Sequence, residues 1–187
     1  MTLIEALQRV PDYRCARGVR HPLWIILVMI VMGNLAGYHG NRPLEEFSKR
    51  YGADVARLLE INPKAMPSYS TFRRTYIGLD FEALSKVFSE WMSEHISPDE
   101  QSYAIDGKRI RQPIEGEDGK TRFVGLVSAF AQQQGVTVEL AALREGENSE
   151  LKVVQYLLEK LKLKGAVLTF DALHAQKAVR PRAGSRR

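Results

Sequence analysis

The sequence predicts an α+β protein. An N-terminal all-α helical domain, residues 1–97, is followed by a smaller sheet domain, residues 98–180, with the element order β-β-β-α-β, and then by a basic tail, residues 181–187. Three observations carry this reading. Apolar residues recur at helical spacing from Leu3 to Ile96, and the pattern turns to short strand-like runs after Ser97-Pro98-Asp99-Glu100. Two of those runs end in a carboxylate, Asp106 and Asp171.

Leu3, Ile4, Leu7 and Val10 share one helical face, and Pro11-Asp12 stops that helix. Asp12 to Arg20 is polar and basic, with Gly18 as a hinge. His21-Pro22 opens a helix from Leu23 whose ten consecutive apolar residues fall far short of the roughly twenty needed to span a bilayer, so it reads as a buried helix ending near Gly33 or Gly37. A third helix opens at Asn41-Arg42-Pro43 and turns Leu44, Phe47, Tyr51, Val55, Leu58 and Leu59 inward. The turn-rich stretch Asn62 to Thr71 supplies hydroxyls to cap a helix beginning near Thr71. That helix carries Arg73 and Arg74, early in a short element after a turn, which suits either a DNA-reading helix or a solvated bundle face. Phe81 to Ile96 is the fifth helix.

The sheet domain begins with Ser102 to Arg111. The charged turn Glu115 to Lys120 leads to Arg122–Gln132, and Gln133-Gln134-Gly135 leads to Val136–Arg144, a spacing that implies an antiparallel meander. A helix capped by Ser149 runs to about Leu161. The fourth strand, Ala166–Phe170, is continuously apolar, which predicts a central strand buried on both faces.

Composition sets the outer limits. One cysteine, Cys15, excludes an internal disulfide framework, fits a reducing compartment and is expected to be a buried, inert thiol. The net charge of +5 is a property of the end of the chain. Residues 1–100 balance 12 basic against 12 acidic side chains and residues 101–176 balance 10 against 10, so the excess lies in Lys177, Arg180, Arg182, Arg186 and Arg187. Such a tail adds nonspecific phosphate affinity or is simply solvated. The first residues lack a secretory pattern, so a cytoplasmic protein is expected.

Three antiparallel strands, a helix and a parallel fourth strand open a ribonuclease-H-like fold, in which the first and fourth strands lie side by side. Two carboxylates on neighbouring strands can share hard divalent cations, which take oxygen ligands and keep waters for phosphates. Asp106 precedes Gly107, so it either binds metal or shapes a turn. Lys108, Arg109 and Arg111 alternate along the strand exit, where one face can meet a DNA backbone and the other be solvated. His174, beside Asp171, either touches phosphate or caps a helix, and Lys177 follows one turn on.

The motifs Pro11-Asp12-Tyr13-Arg14…Gly18-Val19-Arg20-His21-Pro22-Leu23, Pro67-Ser68-Tyr69-Ser70-Thr71-Phe72-Arg73-Arg74, Ala104-Ile105-Asp106-Gly107-Lys108 and Asp171-Ala172-Leu173-His174-Ala175-Gln176-Lys177 resemble bacterial DDE transposases of the ISAs1 type, which include the H-repeat-associated proteins. The resemblance runs in order from Leu3 to Val179. It implies an insertion-sequence transposase with a helical transposase-associated domain and an incomplete ribonuclease-H-like catalytic domain that cuts and joins DNA with Mg2+ (or Mn2+). Asp106 and Asp171 match the first and second catalytic and metal-binding carboxylates. Transposon-end DNA is the implied partner, met in the bacterial cytoplasm at the nucleoid, with self-association or pairing with full-length transposase alongside.

The sequence departs from that family in one respect. The third carboxylate of the family, a glutamate on a downstream helix, has no counterpart after Asp171, and Pro181 to Arg187 read as a frameshifted or truncated end. The expectation is therefore a catalytically incomplete transposase. The competing readings are a non-catalytic DNA- or partner-binding module that inhibits transposition, and an inert remnant.

Overall fold

The structure, a computed structural model, describes residues 1–17, 19–62, 65–96, 102–115, 121–144 and 166–170. The chain divides into two compact units, Met1–Trp91 and Met92–Arg187.

Helices α1 (Leu3–Gln8), α2 (Leu23–Leu35), α3 (Asn41–Leu58), α4 (Tyr69–Gly78) and α5 (Phe81–Ser93) form the N-terminal part. Thr2 and Glu5 close a capping box on α1, each side chain taking the other's backbone N–H. Asp80 caps α5 by accepting from the Glu82 and Ala83 N–H groups. The helix α2 is apolar all round because it is packed on two sides. Leu23, Leu27 and Val28 meet α1 residues Ala6 and Leu7 and α5 residue Val87, while Ile26 and Met29 meet Leu44, Phe47 and Val55 of α3 and Phe72 of α4. At Gly33 a Cβ would collide with the Leu44 side chain, so glycine lets α2 and α3 approach closely.

Two helical expectations need correction. Leu58, expected inward, is 72% exposed, because the buried strip of α3 runs through the small residues Ser48, Gly52 and Ala56 that apolar counting passes over. The fifth helix ends at Ser93, three residues before Ile96.

The second unit holds β1 (Ser102–Glu115), β2 (Thr121–Ala131), β3 (Val136–Arg144) and β4 (Val167–Phe170) in a four-stranded sheet ordered β3-β2-β1-β4. The meander β1-β2-β3 is antiparallel and β4 runs parallel to β1, so the expected adjacency of first and fourth strands is present. The helix expected from Ser149 to Leu161 lies outside the described residues. Tyr103, Ile105, Val127, Ala129, Ala131 and Ala141 bury one face of the sheet.

The fourth strand differs from expectation. Among the described strands it is at the edge, and Val167 is 61% exposed while Leu168 packs against the core. An apolar run does not reveal how many of its faces are covered. No helix among the described residues is long and apolar enough to cross a membrane.

Candidate functional site

Strand pairing fixes the surroundings of the first carboxylate. Residues directly opposite each other in a ladder share a face. Asp106 pairs with Ser128, which pairs with Leu140, so the three stand on the face opposite the buried Ile105, Ala129 and Val127. Asp106 and Lys108 are exposed on that outer face, two residues apart. Across the parallel ladder Ile105 is in register with Phe170, and each is followed in the chain by an aspartate. Asp171, His174 and Lys177 lie outside the described residues. In β1, Arg109 is in register with Gly125, and Arg111 falls in the irregular stretch between Ile110 and Ile114.

Glu139 is a buried carboxylate on β3, 3% exposed and opposite Ala129. It therefore belongs to the core face, with the sheet between it and Asp106. Among the described residues no three His, Cys, Asp or Glu side chains are grouped to hold a metal ion.

The N-terminal unit carries a second candidate. The helix α4 is anchored by Phe72 and Thr75, which are buried, and by Ser48 on α3, whose hydroxyl donates to the Pro67 carbonyl at 2.8 Å. Its outer side presents Tyr69, Arg73 and Tyr76 at successive turns, with Ile77 68% exposed beside them. The Tyr69 N–H at the helix start is already taken by the Glu45 carboxylate, whose affinity for protons that bond lowers. Phosphate attraction here thus rests on arginine rather than on the helix terminus.

Arg73 and Arg74 part company around the helix. Arg74 turns into a cleft of about 620 Å³ between α4 and residues 13–21, while Arg73 does not line it. Tyr13 pins the cleft: its hydroxyl donates to the Arg74 carbonyl at 2.8 Å and its ring lies on Gly78, where any Cβ would overlap it. Arg14 closes the loop by a two-point grip on Asp12, at 2.8 and 2.7 Å, and a bond to the His21 carbonyl at 2.8 Å. The same grip holds the Asp12 carboxyl below the usual carboxylate range.

Arg17, Arg20 and His21 also line the cleft, and no acidic side chain does. The sequence held a signal for this: four basic or imidazole groups between residues 14 and 21 against the single acid Asp12, in a half of the chain without net charge. Cys15, expected buried, is exposed at the same rim. Its neighbours Tyr13 and Arg14 take the inward contacts of this segment and leave the thiol outside.

His21 is 6% exposed, and its Nδ1 has no hydrogen-bond partner among the described residues. Burial, with Arg14 and Arg20 nearby, holds the imidazole below its ordinary pKa of 6.5. The unfolded chain therefore takes up this proton first. The stability His21 contributes is present above 6.5 and is lost as pH falls from there toward the lowered value. Thermal melts between pH 7.5 and 5.5 should show the wild type losing more stability than His21→Leu; parallel losses in the two proteins would refute the assignment.

A family profile described as DDE_Tnp_1-associated matches residues 4–92, the helical part, and marks the protein as transposase-related. The "Putative transposase YncI" of Escherichia coli O157:H7 is 30% identical over 180 residues, 95% of this chain and 45% of that relative. The protein of the same description in Escherichia coli K12 is 30% identical over 180 residues, covering 95% and 71%. The K12 "H repeat-associated putative transposase YhhI" is 26% identical over 178 residues, covering 95% and 46%. The chain belongs to this transposase family, the one that includes the H-repeat-associated proteins. It spans about half the length of two of these relatives and 71% of the third.

Proposed function

We propose that the chain is part of an insertion-sequence transposase: residues 1–97 engage transposon-end DNA, and residues 98–180 form an incomplete ribonuclease-H-like domain whose Asp106 and Asp171 share a divalent cation. The observation that carries the second half is the parallel register of Ile105 with Phe170, each the residue before an aspartate. Asp106 fits such an ion as an exposed, hard oxygen donor on the outer face of the sheet. Bound there, Mg2+ or Mn2+ would stabilise charge on phosphate oxygens. Lys108, and further along the chain Arg109, Arg111, His174 and Lys177, supply basic groups suited to the DNA backbone, as Arg73 and Arg74 do on α4.

Titrating the chain with Mn2+ and reading the free-ion paramagnetic signal tests the pair. One weak site is expected, weakened at least about tenfold in Asp106→Ala and in Asp171→Ala, since each removes one of two charged ligands. Asp54→Ala, which alters an exposed helix pair on α3, serves as the control. Unchanged affinity in both sheet variants would sink the proposal.

The outer side of α4 favours a second reading, a non-catalytic module that occupies DNA ends or pairs with full-length transposase. Tyr69, Arg73 and Tyr76 offer stacking and phosphate contacts that need no metal. Strand cleavage separates the two readings.

A further inference from the structure

We propose that the cleft between residues 13–21 and α4 is a binding site for a phosphate group of a nucleic-acid strand, held by Arg17, Arg20 and Arg74 with the hydroxyls of Ser70 and Thr71. This rests on the reading that the N-terminal unit meets DNA, and it moves the principal backbone contact from the exposed side of α4 into a built cavity.

The charges in the cleft divide into structural and available ones. Arg14 is committed, with its fork on Asp12 and a further bond to the His21 carbonyl. Arg17 and Arg20 are exposed and form no ion pair among the described residues. Arg74 spends its Nε on the Ser70 carbonyl at 3.1 Å, and a guanidinium has four further N–H donors. Three arginines thus converge where no carboxylate lines the wall.

A merely solvated basic loop has no need of a fixed concave shape. This one is held concave by the Tyr13 hydroxyl, the Tyr13 ring on Gly78 and the Arg14 grip, and it keeps the buried Nδ1 of His21 without a partner among the described residues. The cavity, about 620 Å³, is of a size that encloses organic ligands rather than a lone anion. Its walls include Val19 and Ile77, 36% and 68% exposed, apolar surface suited to a sugar or base edge. The combination favours a nucleotide unit over an inorganic ion.

Cys15, the single cysteine and exposed at the rim, gives a local reporter: its rate of reaction with an aromatic disulfide reagent. With the full chain, a short duplex should slow that reaction. Arg17→Ala/Arg20→Ala should weaken duplex binding by about tenfold or more and flatten the salt dependence by about two, roughly 0.9 per lost phosphate contact. The charge-matched pair Arg50→Ala/Arg57→Ala on α3, outside the cleft, should leave Cys15 protection intact. Unchanged melting curves establish that both double variants are folded.

Equal weakening by the two double variants, or duplex binding indifferent to Arg17 and Arg20, would overturn the cleft while leaving DNA binding in place. Protection of Cys15 by a deoxynucleoside monophosphate, lost in Arg17→Ala/Arg20→Ala, with no duplex binding at all, would keep the phosphate site and place the failure on the DNA reading. Protection by neither ligand would overturn the site.

Discussion

Replacing Phe72 by alanine is expected to destabilise the N-terminal unit by about 3–5 kcal/mol. The ring is fully buried, packed with Ile26 and Met29 of α2 and Leu44, Phe47 and Val55 of α3. Its removal leaves a cavity at the one place where α4 is locked to the rest of the bundle. Against a typical domain stability of roughly 5–15 kcal/mol, that loss is enough to free the helix that carries Arg73 and Arg74. On the outer side of the same helix, Ile77→Ala should change stability by no more than about 0.5 kcal/mol. Both tryptophans, Trp24 and Trp91, lie in this unit, so their fluorescence in urea reports its unfolding. A loss below about 1 kcal/mol for Phe72→Ala would mean that α4 is not anchored through this ring.

With Mg2+ and labelled duplex, the 187-residue chain alone is expected to leave both strands intact. Phosphoryl transfer depends almost wholly on positioning and charge stabilisation, and a single missing group of that kind commonly costs about 10²–10³ in rate. Asp106 and Asp171 are two carboxylates. Glu139, the buried acid of the described sheet, stands on the core face opposite Asp106 and cannot join them without turning the strand over. Gel analysis of the labelled strands is the measurement. Cleavage that disappears in Asp106→Ala would show the expectation wrong and require a third ligand from elsewhere in the chain or from a second subunit. Intact strands together with Arg17-dependent duplex binding would instead favour the non-catalytic module.

Much of the local structure was legible in the sequence. Helical spacing located all five helices, and the unbroken apolar run of α2 foretold a helix packed on opposite sides. Period-two runs separated by short turns located the three-stranded meander, and the first carboxylate was found at its place on β1. These signals are local: an element's own periodicity states which of its faces avoids water.

What lies opposite that face is a different matter, and there the tertiary structure decided. The cleft joins Tyr13–His21 to Arg74 and Gly78 across some sixty positions of sequence, through one hydroxyl, one ring and the space that a glycine leaves free. No periodicity records such a fit. The exposure of Cys15 and Leu58 and the core-facing side of Glu139 follow from the same cause, because each depends on how two elements meet. The edge position of β4 likewise came from pairing, since an apolar strand looks alike in sequence whether one neighbour covers it or two. By itself the sequence determined the elements, the class of fold and the carboxylate of β1. Only the packed chain gathered Arg17, Arg20 and Arg74 at one cavity, because that convergence depends on long-range shape and hydrogen bonding rather than on any repeat along the chain.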